Sequence, residues 1–137
     1  MFKKMLIYVL YFSLFSSPLF ADEEIDGEVK DEYQYYPIEP DIITNYIKPG
    51  KRVGFVRLTI ELMVKSKGNY ALLETNEPLV RDRIITILGE QNEKKVKSAL
   101  DRETLRQRCL DEVNGVLFAE TGKKPIEDLL FTKYLYQ

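Results

Sequence analysis

Val53-Gly54-Phe55-Val56-Arg57-Leu58-Thr59-Ile60-Glu61-Leu62-Met63-Val64 is the stretch from which the rest of this 137-residue chain can be read. Val56, Leu58, Ile60, Leu62 and Val64 recur at every second position, and Arg57, Thr59 and Glu61 alternate with them. Neighbouring side chains of a strand point to opposite faces, so this pattern predicts a long, half-buried antiparallel strand. A strand with one apolar face needs a second layer to cover it.

The segments upstream supply more sheet. Lys48-Pro49-Gly50-Lys51 has the composition of a turn, and Ile42 to Ile47 is a short β-type run that leads into it. Tyr33 to Pro40 holds three tyrosines and two prolines. Proline fixes φ and lacks an N–H donor, so this segment is expected to be extended and to lie at a sheet edge.

Downstream the period changes to that of helices. Ser66 to Asn69 is expected to turn the chain, with Asn69 as N-cap, and Tyr70 to Asn76 to form a short helical turn. Pro78 suits the first position of a new helix. Val80, Ile84, Ile87 and Leu88 form its apolar stripe, Arg81, Asp82 and Arg83 start its exposed side, and Gly89 ends it. Glu90 to Lys97 reads as a charged connection. Asp101 is expected to cap a long helix reaching Glu120, with Leu105, Cys109, Val113, Val116 and Leu117 inward. Gly122 and Pro125 mark its stop. Ile126 to Tyr136 alternates again, with Leu129, Phe131 and Leu135 opposite Leu130, Thr132 and Tyr134. Two apolar faces suggest a central strand. Strands, then helices, then a strand predict an α+β domain: a small, mostly antiparallel sheet with two main helices packed on one face.

The N-terminus has a different character. Lys3 and Lys4 precede an apolar run from Met5 to Phe15, then Ser16, Ser17, Pro18 and Ala21. This is the layout of a bacterial secretory signal peptide cut after Ala21. Leu19 occupies a position where a small residue is preferred, so an uncleaved anchor over residues 1–21 stays open as the alternative. Either reading places the rest of the chain outside the cytoplasm. Residues 22–34 open with Asp22, Glu23, Glu24, Asp26, Glu28, Asp31 and Glu32, an acidic flexible tether that ends where a domain spanning residues 35–137 begins.

Composition excludes several functions. Net charge is −2 for the whole chain. Losing residues 1–21, with Lys3 and Lys4 and no acid, takes it to about −4. With no run of basic residues, the domain is a poor nucleic-acid binder. There is no histidine, which removes Ser-His-Asp triads, Cys-His pairs and His-ligated zinc. Cys109 is the only cysteine, so no intramolecular disulfide forms, and its place on an apolar stripe marks it as a core residue. The seven glycines are scattered, and no phosphate-binding loop is present. Ser66 and Lys67 are neighbours at a strand end and point apart, so they make no nucleophile–base pair. No catalytic residue, cofactor or metal ligand set is expected, which favours a binding or structural protein.

Five segments in order carry a resemblance. They are Tyr36-Pro37-Ile38-Glu39-Pro40, Arg57-Leu58-Thr59-Ile60-Glu61-Leu62, Pro78-Leu79-Val80-Arg81-Asp82, Leu105-Arg106 with Val113-Asn114, and Leu130-Phe131-Thr132-Lys133-Tyr134-Leu135-Tyr136-Gln137. Together they resemble the flagellar basal body-associated FliL family over about residues 35–137. The resemblance implies a periplasmic domain similar to the stomatin-type (SPFH) domain. It also implies a non-enzymatic motility accessory, assembled as a ring-forming oligomer around the stator units of the flagellar motor. Typical members begin with a basic tail and a full transmembrane helix, whereas this chain begins with a signal-like segment. The protein is thus expected in the periplasm, soluble or anchored to the inner membrane at the basal body. An envelope scaffold or adaptor with no flagellar role is the alternative.

Tyr35, Tyr36, Arg81 and Asp82 are the candidate interface residues. Tyrosine is enriched at protein contacts. Arg81 offers a fixed fork of donors, and Asp82 in a first helical turn would be favoured by the helix dipole. Edge packing of the tyrosines and a local ion pair of Arg81 are the competing readings.

Overall fold

A computed structural model describes residues 32–137 of the chain. The segment read as signal peptide or anchor, and most of the tether, lie outside the described residues. The elements run β1 (Tyr33–Pro37), β2 (Ile42–Ile47), β3 (Val53–Lys65), α1 (Lys67–Gly89), α2 (Glu93–Lys97), α3 (Ala99–Thr121) and β4 (Ile126–Tyr136). This is the expected α+β domain, with one antiparallel sheet and its helices on one face.

Strand β3 is the spine. β1 and β2 lie end to end along one edge of it: β1 pairs with its Glu61–Lys65 half and β2 with its Val53–Leu58 half. β4 pairs along the other edge, from Val56 to Val64. Val56, Leu58, Ile60, Leu62 and Val64 are all buried, as their alternation predicts. Each such side chain contributes about 1.5–3 kcal/mol on leaving water.

The β2–β3 hairpin is closed by a turn in which Gly50 adopts φ +74°, a conformation that favours glycine. Behind the turn, Tyr46 lies directly across from Gly54. Its buried ring covers the glycine, and its hydroxyl donates to the Gln137 carbonyl at 2.6 Å. A Cβ on Gly54 would sit 2.2 Å from the Tyr46 ring.

Four expectations need correction. The first concerns Pro78, which lies inside a single 23-residue helix rather than at the start of a second one. An interior proline costs about 3 kcal/mol. Leu73, Val80, Ile84, Ile87 and Leu88 are buried along one uninterrupted stripe spanning Pro78, and their combined burial outweighs that cost. Arg81 and Asp82 are therefore mid-helix, and the dipole argument for Asp82 does not apply.

The second correction concerns caps. Ser66, not Asn69, caps α1 by accepting from the Asn69 N–H, and the Asn69 side chain donates to the Lys65 carbonyl at 2.8 Å. Ser98, not Asp101, caps α3 by accepting from the Asp101 N–H. In both cases the hydroxyl lies three residues upstream of the amide it satisfies.

Third, the charged connection between the long helices contains the short helix α2, capped by Asn92. Fourth, β4 is an edge strand and its alternation breaks. A bulge at Thr132 shifts the register between Thr59 and Ile60. Leu129 and Phe131 before it, and Tyr134 and Tyr136 after it, all pair with helix-side residues of β3. An extra residue in one strand reverses facing beyond it, so Leu135 stands on the open face.

Replacing Gly54 by alanine is expected to destabilise the domain by roughly 1–3 kcal/mol, because the Tyr46 ring must leave its packed position. Urea unfolding checks this. An unchanged midpoint would mean that the ring swings aside at no cost.

Candidate functional site

Strand β1 and helix α1 meet through a chain of side chains that the sequence scatters over 45 positions. The alternation of β1 turns Tyr36 inward, where it is buried, and leaves Tyr33 and Tyr35 about half exposed on the open face. The Tyr36 ring meets Tyr70 edge-on, with centroids 5.1 Å apart. Its hydroxyl donates to Glu77 Oε2. Burial raises the Tyr36 phenol well above its usual range, and the hydrogen bond and charge of Glu77 add to this. Tyr36 is a neutral donor at any working pH.

Arg81 lies one turn beyond Glu77 on α1. Its Nη2 donates to Glu77 Oε1 at 3.1 Å and to the Pro40 carbonyl at 2.9 Å. The guanidinium thus holds the corner between β1 and β2, which contains the cis Glu39–Pro40 bond, against the middle of the helix. The i, i+4 pair alone is worth only about 0.3–0.5 kcal/mol. The charge-assisted bond to a carbonyl from another element fixes a backbone position as well.

Of the four candidate residues, Tyr36 and Arg81 are thus brought together, through Glu77. Tyr35 and Asp82 are not part of this chain. Tyr35 stands across from Met63 on the open sheet face, and Asp82 is exposed on α1.

Sequence reasoning missed Glu77. A second clamp stands at the opposite sheet edge, on Arg106 and Asn114, residues that the resemblance includes without giving them a partner. Asn114 on α3 donates through Nδ2 to the Ile126 carbonyl at 2.8 Å and accepts from the Ile126 N–H at 3.1 Å. This amide seats the first residue of β4. One face further along, Arg106 Nη1 donates to Asp128 Oδ1 at 2.5 Å and to the Leu129 carbonyl at 2.9 Å, while its Nε and Nη2 reach Glu103. The available signal was position: Arg106 and Asn114 each follow a buried residue, Leu105 and Val113, and so flank the apolar stripe.

Nothing in this arrangement has the form of an active site. Among the described residues no three His, Cys, Asp or Glu side chains cluster to hold a metal. Cys109 is buried, and burial pushes its thiol up to about 12. Among the described residues no helix is long and apolar enough to cross a membrane.

Two predictions follow from the clamps. Tyr36→Phe and Arg81→Ala should each cost about 1 kcal/mol, and the double variant clearly less than the sum, since both act through Glu77. A urea double-mutant cycle measures this, and strict additivity would dissolve the proposed chain. The second prediction concerns acid. Hydrogen bonds from Arg106, then Gln107, hold the Glu103 carboxyl down at about 2, below its ordinary value of 4.5. A depressed carboxylate stabilises the fold above its unfolded pKa, and that contribution is lost as pH falls through the folded value. The stability difference between the native chain and Glu103→Gln should therefore be small, present at neutral pH, and fade between 4.5 and about 2. A difference that persists at the acid end would exclude the ion pair as its source.

Comparison with known proteins gives this fold a place. The family model described as "Flagellar basal body-associated protein FliL" matches residues 35–137. The curated protein "Flagellar protein FliL" of Aquifex aeolicus (strain VF5) is 28% identical over 102 residues, which cover 74% of this chain and 60% of that relative. The match therefore spans about three fifths of the relative's length. Residues 35–137 take in all of the described sheet except the first two residues of β1, together with every described helix, and on that match the chain belongs to the flagellar basal body-associated FliL family.

Proposed function

We propose that this domain is a non-enzymatic accessory of the flagellar motor, which associates with stator units at the basal body and supports motility as a ring-forming oligomer. The observation that carries the reading is the family match over residues 35–137, nearly the whole described fold. The domain works in the periplasm, soluble or held at the inner membrane. Its job is contact rather than chemistry, in keeping with a buried, high-pKa thiol and no histidine.

On this proposal the candidate interface residues divide the labour. Tyr35 and Asp82 are exposed and available to a neighbour. Tyr36 and Arg81 act from behind, holding the β1–β2 corner and the adjoining face of α1 in register. On this reading Arg81→Ala loosens the presenting corner, whereas Asp82→Ala removes a contact and leaves stability unchanged.

Fluorescence localisation in cells with and without stator proteins tests the proposal. The tag belongs in the acidic 22–32 segment, because Gln137 is hydrogen-bonded to Phe55 in both directions and accepts from Tyr46. Foci at flagellar bases that vanish without stators are expected. Diffuse signal in both strains, with unchanged swimming after deletion, would instead favour an envelope adaptor without a flagellar role.

A further inference from the structure

The end of the sheet remote from Tyr33 combines two features that the sequence keeps apart. Strand β3 spans about 40 Å at about 3.3 Å per residue. The chain enters β1 beside Lys65, at one end. At the other end lie the β2–β3 turn and helix α2. The Ile47 N–H, at the end of β2, donates to the carbonyl of Gln91, just ahead of α2, at 3.0 Å.

The first feature is apolar. On the sheet face away from the helices, Ile43, Ile47, Val53, Phe55 and Leu135 are each more than half exposed. The strand register makes them one patch: Ile47 faces Val53, Phe55 follows two residues along β3, and Arg57 is flanked by Ile43 and Leu135. Water-facing isoleucine, valine and phenylalanine in one contiguous group mark an interaction surface.

The second feature is charge. Lys48 and Arg52 flank the turn, and Lys94 stands on α2 across a shallow groove lined by Ile47, Lys48, Pro49, Asn92, Glu93 and Lys94, whereas its neighbour Lys95 turns toward α3, in a hollow with Asp101 and Arg108. Among the described residues Lys48, Arg52 and Lys94 form no ion pair, whereas Lys97 is taken by Glu93 and Arg57 by Asp41. The Glu93 carboxyl is lowered first by the hydrogen bond from Lys97, with smaller contributions from Lys97, Lys48 and Arg52 charge, so both segments reach the same spot. A chain of net charge −2 thus carries a local basic corner.

We propose that this corner docks on an anionic phospholipid surface. Projecting apolar side chains with lysines beside them suit the boundary between headgroups and acyl chains, where the apolar tips enter and the ammonium groups meet phosphate. Each basic residue near an anionic leaflet adds to the attraction within a Debye length. An acidic peptide would need a groove able to enclose it, and the hollow here is shallow and open. The contact is independent of any stator association.

The test uses the full chain with a polarity-sensitive dye on Asn45→Cys, an exposed position across from Phe55. Cys109 is buried with its thiol pushed up to about 12, so it stays unlabelled. A second label at Phe118→Cys, exposed near the far end of α3, reports insertion elsewhere in the chain. Phosphatidylglycerol vesicles should blue-shift the dye at position 45 and not at 118. Phosphatidylcholine vesicles should leave both unchanged. Reversing Lys48 and Lys94 together to glutamate should weaken the response at least thirty-fold, about fivefold for each lysine charge lost and more for the negative charges gained. Phe55→Ser should weaken it while keeping its salt dependence. The proposal is overturned by no shift with phosphatidylglycerol, by an equal shift with phosphatidylcholine, or by indifference to charge reversal. It is overturned in favour of a protein partner by an equal shift with soluble polyglutamate, and in favour of a second copy by a concentration-dependent shift without lipid.

Discussion

Pairing of β3 on both edges is the constraint on which the domain depends. Thirteen residues long, β3 is, among the described residues, the one strand that every other strand touches, and its inward face supplies five of the buried side chains. β1 and β2 share one of its edges and β4 takes the other. Without β3 the remaining strands have no common partner, and an isolated hairpin is marginal in water.

The helices answer the apolar face that β3 creates. α1 lays Leu73, Val80, Ile84, Ile87 and Leu88 toward the sheet, and α3 adds Leu105, Cys109, Val113 and Leu117. Burial is non-directional, so it does not by itself fix where each helix stops sliding. Polar clamps do that. Arg81 and Tyr36 tie α1 to the β1–β2 corner through Glu77, while Asn114 and Arg106 tie α3 to the first residues of β4. Both clamps satisfy carbonyls at the places where strands begin or bend, and unpaired carbonyls there would be costly. Segments that carry the family resemblance are thus the ones that hold register. Tyr35, Asp82 and the open face stand outside these clamps.

The open face and the basic corner show how function separates from fold. The residues that stabilise the domain face inward. Those that distinguish its surface, Ile47, Phe55, Lys48 and Lys94, contribute little to the core and sit at the end farthest from the entry of the chain. No run of basic residues announces this corner, because it is assembled from a turn near residue 50 and a five-residue helix near residue 95.

The local sequence by itself determined β3, the apolar stripe of α3 and that of α1 after Pro78 through side-chain spacing, β1 and β2 through their proline, tyrosine and β-branched content, and from these the burial of Cys109 and the α+β class. Each of these follows from features within one segment and the cost of exposing apolar surface. The order of five segments was also enough to indicate the family. Only the tertiary structure decided that α1 runs through Pro78, since the gain from a continuous buried stripe lies in the sheet it packs on. Only the tertiary structure placed β4 at an edge and reversed its alternation at Thr132, because a bulge is defined by the partner strand. It alone brought Tyr36, Glu77 and Arg81 into one chain, and Lys48 and Arg52 beside Lys94. Those contacts join residues some 40 positions apart, and no local pattern encodes a distance in space between segments that far apart along the chain.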